Sequence, residues 1–139
     1  MKGRISFHSQ DISFSLKNKS KIKKWILSAI RKEKRTCDII NFVFCSDKFL
    51  LKLNKEYLQH NTLTDIITFE YSAGNIQSDI FISVLRVKEN AKKFEVAFNK
   101  ELQRVMIHGA LHLCGYKGKT VSEKRKIKAR EDYYLSLAD

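Results

Sequence analysis

Residues 100 to 114, KELQRVMIHGALHLC, carry apolar groups nearly all the way round a helix: Leu102, Val105, Met106, Ile107, Leu111, Leu113 and Cys114. A helix of that kind has no broad solvent face and belongs in the middle of a domain, with other elements wrapped around it. Its one polar stripe is Glu101, Arg104, His108 and His112, spaced at three or four residues and therefore in a single line. The predicted fold must leave a polar cleft along that line.

Four residues turn a helix through one revolution plus roughly 40°, so the imidazoles of His108 and His112 can reach one ion from the same face. Both are candidate metal ligands. Gly109 is expected to leave one side of His108 unobstructed, and Gly115 to stop the helix just after the pair. Cys114 stands two residues past His112, close to the opposite side, and is excluded as a ligand. A metalloprotease of the H-E-x-x-H type needs a glutamate where Gly109 stands, which disfavours peptide hydrolysis by that route.

The rest of the chain limits the setting. Its 139 residues contain no proline, no internal repeat and no low-complexity linker, so residues 1–139 read as one domain. The N-terminus, MKGRISFHSQD, lacks the apolar core of a signal peptide, and no apolar run is long enough to cross a bilayer. A cytoplasmic protein with no membrane partner is expected. Three cysteines without C-x-x-C spacing suggest buried thiols rather than a disulfide framework or zinc ribbon. Lysine and arginine number 27 against 15 acids, a net charge of +12, which makes a polyanion the expected partner. The basic residues are spread over several segments with no lipid-facing apolar stripe, so nucleic acid fits better than a membrane surface.

Residues 4 to 8 alternate like a short strand, and Ser20 is expected to cap a helix that buries Ile22, Trp25, Ile26, Ala29 and Ile30. Residues 38 to 46 read as a second strand, followed by a helix from Asp47 that packs Phe49, Leu50, Leu53 and Tyr57. Residues 64 to 71 and 76 to 84 read as strands joined by the turn-rich SAGN into an antiparallel hairpin. Beyond them residues 85 to 98 predict a helix packing Val87, Ala91, Phe94 and Phe98. Asn99 is expected to cap the histidine helix, and Thr120 with Glu123 forms a capping box for the last one. The class is α+β: a small mixed four-stranded sheet packed with about five helices around the central histidine-bearing helix.

HGALHLCGY, residues 108 to 116, resembles the signature H-G-x-L-H-L-x-G-Y-D-H of the YbeY family, the bacterial endoribonucleases of ribosomal RNA maturation. LNKEY (53 to 57), TDIITF (64 to 69) and SDIFIS (78 to 83) resemble further segments of the same family in the same order. The resemblance implies metal-assisted cleavage of single-stranded RNA, with zinc the expected ion. Roles in small-subunit ribosomal RNA processing and ribosome quality control follow, with ribosomal RNA and small-subunit ribosomal proteins as partners. His108 and His112 carry over as metal ligands. Two positions depart from the pattern: the third histidine falls at Gly118, preceded by Lys117, and an arginine of the family falls at Leu58. Water, a backbone carbonyl near Gly118, or the Glu123 carboxylate are the alternatives for the missing donor.

His108 and Asp65 are the candidate catalytic residues, Asp65 as a group that orients a water or a histidine, or else as a turn carboxylate bonding local amides. Lys117, Lys119 and Thr64 are the candidate substrate contacts, the lysines because each phosphate they neutralise adds salt-dependent affinity. Arg125 and its basic neighbours over 124 to 130 read equally as a phosphate-binding face or as ordinary solvated helix surface. Tyr116 is a candidate for base stacking or for packing, and His8 and His60 are expected to be surface or packing histidines. Besides an endoribonuclease, the sequence admits an RNA- or ribosome-binding protein that has lost catalysis through Gly118 and Leu58, or a metal-dependent hydrolase of another substrate.

Overall fold

The computed structural model describes residues 3–59 and 64–138, so His60 lies outside the described residues. Along the chain these form β1 (Arg4–Ser9), α1 (Lys19–Lys32), β2 (Cys37–Cys45), α2 (Asp47–Leu58), β3 (Ile66–Glu70), β4 (Ile76–Ser83), α3 (Val84–Lys93), α4 (Phe98–Leu113) and α5 (Val121–Ser136). The sheet runs β1-β2-β4-β3, with β1, β2 and β4 parallel and β3 antiparallel to β4. The fold is therefore the mixed-sheet α+β domain that the hydrophobic pattern predicts.

Strand alternation explains which side of the sheet is covered. Ile40, Phe42 and Phe44 of β2 and Ile76, Ile80 and Ile82 of β4 point into one core, shared with α1, α4 and α5. The opposite side is covered over part of its width by α2, through Leu50 against Cys45 and Ile67. The apolar helix is indeed central: Met106 and Ile107 of α4 have no solvent exposure. Trp25 Nε1 on α1 donates to the Tyr134 carbonyl on α5 at 2.8 Å, tying together the two helices that flank it.

Several predicted details differ. Helix α4 begins at Phe98, two residues earlier than an Asn99 cap allows, and the Phe98 ring packs edge-on against Phe14; the cap position is Ala97, without a side-chain bond. Helix α1 is entered from Asn18 in the left-handed region rather than from Ser20, a conformation asparagine tolerates. The helix predicted over 85 to 98 ends at Lys93, since Glu95 adopts a positive φ of 56°, and Phe94 is left 57% exposed. Tyr57 is likewise exposed rather than packed into the core, with its ring edge-on to Phe69. The third strand begins at Ile66, two residues after Thr64.

Gly109 has a different task from the one predicted. A Cβ on it would sit 2.9 Å from Ile66 Cδ1 and 3.2 Å from Ile80 Cδ1, so the missing side chain lets α4 lie against β3 and β4 instead of clearing space beside His108. Gly109→Val is expected to destabilise the fold by about 1–3 kcal/mol through overpacking. Thermal unfolding would register this as a fall in Tm of roughly 3–10 °C; an unchanged Tm would show that the helix has room to shift.

Candidate active site

Helix α4 presents His108 and His112 one turn apart at the edge of its buried surface, both half-buried. Each ring is held by its Nδ1. His112 Nδ1 is 2.8 Å from the Tyr116 carbonyl, an oxygen that can only accept, so this nitrogen carries the hydrogen. His108 Nδ1 is 2.5 Å from Glu131 Oε2, and the carboxylate accepts in the same way. The two Nε2 atoms are thereby turned toward each other, at 2.9 Å. Either a hydrogen shared between the two Nε2 atoms or a metal ion bound by both satisfies this contact. Burial, followed by the neighbouring His108, lowers the His112 pKa below its ordinary value, so this ring is neutral at pH 7.

The supports come from distant parts of the chain. Gly115, with φ of 108°, ends α4 in a conformation that favours glycine and turns the chain so that the Tyr116 carbonyl comes back to His112. The Tyr116 hydroxyl donates to Glu33 at 2.8 Å, and its ring packs on the core. Tyr116 thus pins this turn to the end of α1, which answers the choice between stacking and packing in favour of packing. Glu131, 5% exposed on α5, accepts from Arg104 at Oε1 (2.9 Å) while Oε2 holds His108. Arg104 also donates to Asp132 at 2.7 Å, so the stripe foreseen on α4 is clamped by two acids of α5.

Glu131 is the residue that the sequence reading missed. Its signal was present: Ile127, Glu131 and Tyr134 are the buried positions of α5, spaced at four and three, so an acid occupies an inward stripe of an otherwise very polar helix. A buried acid needs a partner.

The remaining candidates fall around this pair. Lys117, Gly118, Lys119 and Thr120 line a groove with both histidines, and both lysines are exposed on it. A Cβ on Gly118 would lie 3.8 Å from His112 Cε1, with no other atom within 4 Å. Glu123 also borders the groove, but its Oε1 accepts the Lys119 and Thr120 amides at 3.0 Å in the predicted capping box. Asp65 is largely removed from solvent; burial raises its carboxyl pKa and the nearby His108 opposes the rise. Its Oδ2 accepts from Asn90 at 3.4 Å. The Thr64 hydroxyl donates to the Ile66 carbonyl, a local bond. Glu101, buried on the same stripe, also has its pKa raised by burial, with Arg104 opposing. Cys114 packs against the core, and burial pushes its thiol up to about 11. Leu58, the last residue of α2, is 44% exposed.

Among the described residues, no group of three histidine, cysteine, aspartate or glutamate side chains is arranged to hold an ion. The two Nε2 atoms nevertheless fit one. Two zinc–nitrogen bonds of 2.0–2.1 Å at a tetrahedral angle separate the nitrogens by about 3.3 Å, so a parting of about 0.4 Å suffices. Among the described residues no helix is long and apolar enough to cross a membrane.

The fold sets a histidine pair on its central helix beside a lysine-lined groove, and the family whose model it matches is one of endoribonucleases. Residues 4–138 match the family model described as endoribonuclease YbeY, and the chain belongs to that family. An endoribonuclease YbeY from Flavobacterium psychrophilum is 46% identical over 96% of this chain and 95% of its own length. One from Cytophaga hutchinsonii is 44% identical over 96% and 94%. The solution structure of TM1509 from Thermotoga maritima is similar with a TM-score of 0.68 at 25% identity, covering 96% of this chain and 88% of the other.

Proposed function

We propose that this protein is a zinc-dependent endoribonuclease that cuts single-stranded RNA in the maturation of small-subunit ribosomal RNA in the cytoplasm. The observation that carries the reading is the pair of Nε2 atoms facing each other at 2.9 Å, each ring fixed from behind by an acceptor on its Nδ1. Histidines that bind metals are oriented in this manner. The relatives named as endoribonucleases support the choice of RNA as substrate.

When bound, a divalent ion there polarises a phosphoryl oxygen and acidifies water. The protein's own residues do the rest. His108 and His112 hold the ion, while Glu131 and the Tyr116 carbonyl keep their Nε2 atoms turned toward it. Lys117 and Lys119, exposed on the groove, draw the phosphates of a strand toward the pair. Asp65, whose carboxyl pKa is raised by burial against the opposing effect of His108, would take the proton of the attacking water as the bond from phosphorus to the leaving ribose oxygen breaks and that oxygen takes a proton from solvent. Thr64, immediately before it, is assigned to the substrate side of the cleft. Small-subunit ribosomal proteins are the partners this reading names.

The loss of a third side-chain donor at Gly118 favours a second reading, an RNA- or ribosome-binding protein of the same fold without catalysis. Cleavage of labelled single-stranded RNA separates the two. Wild-type protein is expected to cut, and chelator or His112→Ala to lower the rate at least 100-fold. RNA binding without cleavage by the zinc-loaded wild type would favour the second reading, and cleavage indifferent to His112→Ala would remove the metal pair from the mechanism.

A further inference from the structure

The histidine groove does not end at the histidines. A second concavity shares His108, Lys124 and Ile127 with it and runs on between α4 and α5 toward the turn after α3. Its far end is unlike the near one. Phe94 and Val96, exposed at 57% and 45%, stand there where the chain leaves α3. Their exposure follows from the positive φ of Glu95, which ends the helix early and turns both side chains out of the core. Exposed Lys100, Lys124 and Lys128 border the same stretch.

The two helices set a regular spacing. Lys124 and Lys128 are one turn apart on α5, about 6 Å along its axis. From His108 back to Lys100 is eight residues of α4, about 12 Å, which matches roughly three to four stacked nucleotides at ~3.4 Å each. Of the acids along this stretch, Glu131 is engaged by Arg104 and His108 and Glu101 is buried, which leaves the charges of Lys124 and Lys128 on the border. A cationic border over an apolar floor with an aromatic at its end suits a strand whose phosphates face lysines and whose bases lie on apolar groups.

We infer that the α4–α5 groove beyond His108 is a subsite for single-stranded RNA, in which Lys124 and Lys128 hold the backbone and Phe94 stacks on a base a few nucleotides from the histidine pair. The inference rests on the reading of RNA as the substrate and adds where the strand runs. It also gives a use to a ring that stays exposed at a turn of the chain with the Lys93 ammonium over it, 5.8 Å from its centroid.

Fluorescence anisotropy of the zinc-free protein with single-stranded RNA of about twelve nucleotides, and with a duplex of the same length, tests it. Phe94→Ala is expected to weaken single-strand binding about tenfold and leave duplex binding unchanged. Lys128→Ala is expected to reduce the slope of log affinity against log salt by about 0.7, the value of one phosphate contact on a single strand. Both side chains are exposed, so a far-ultraviolet spectrum matching wild type is expected for each variant. If the wild type binds RNA and neither variant differs from it, the subsite is wrong while the RNA reading stands. Equal weakening on strand and duplex would overturn the stacking role. If the wild type binds no RNA of either kind, the RNA reading falls and takes the subsite with it.

Discussion

Gly118→Asp is expected to tighten zinc binding by about 100-fold. Structural zinc sites of four ligands are worth about 10–16 kcal/mol, or roughly 3 kcal/mol per ligand, which corresponds to that factor. The position is suited to a ligand. Its Cβ would lie 3.8 Å from His112 Cε1, the carbon bonded to the Nε2 that faces His108, and no other atom crowds it. Its backbone also lies outside the left-handed region, unlike that of Gly115, so a side chain adds no backbone strain. Gly118→Ala, which adds a Cβ without a donor, is the control and should bind zinc as the wild type does. Competition with a chelator reads both. Equal affinity for the aspartate variant and wild type would mean that another group already serves as the third donor.

The second large effect is expected at Glu131. Its carboxylate holds the His108 ring from the side away from His112, and removing such a support from a metal-binding histidine lowers affinity by about 10–100-fold. Glu131→Ala should therefore weaken zinc by that factor although Glu131 does not reach the ion. Folding should suffer less. Arg104 loses one partner but keeps Asp132, and its side chain is 33% exposed, so about 1–2 kcal/mol is expected rather than the full loss from an isolated buried charge. Glu131→Gln, which keeps the volume and one acceptor oxygen, should fall between the two. Chelator competition together with the melting of zinc-free protein separates orientation from stability. Unchanged zinc affinity in Glu131→Ala would show that His108 keeps its orientation unaided.

Much of this geometry was legible wherever its cause is local. The line of Glu101, Arg104, His108 and His112 follows from helical period alone, and the Thr120–Glu123 capping box from four consecutive residues; both form as predicted. What escaped depends on contacts between segments far apart in the chain. Gly109 is small because Ile66 and Ile80 press against it, and no window around Gly109 contains them. Phe94 keeps the helical spacing of a core residue, yet one positive φ at Glu95 removes it from the core. Glu131 is 23 residues from His108, and only the packing of α5 on α4 joins them. Asn99 shows the same limit at a helix end, where Phe98 finding Phe14 outweighs a local cap.

Everything proposed for the histidine pair depends on the two Nε2 atoms sharing a metal ion. Anomalous diffraction at the zinc edge from crystals of the zinc-loaded protein tests it most directly. The predicted result is a single peak within about 2.1 Å of both Nε2 atoms, with Glu131 and the Tyr116 carbonyl still bonded to the opposite nitrogens. Zinc-loaded crystals with no peak between the rings, and the Nε2–Nε2 contact still at 2.9 Å, would contradict it.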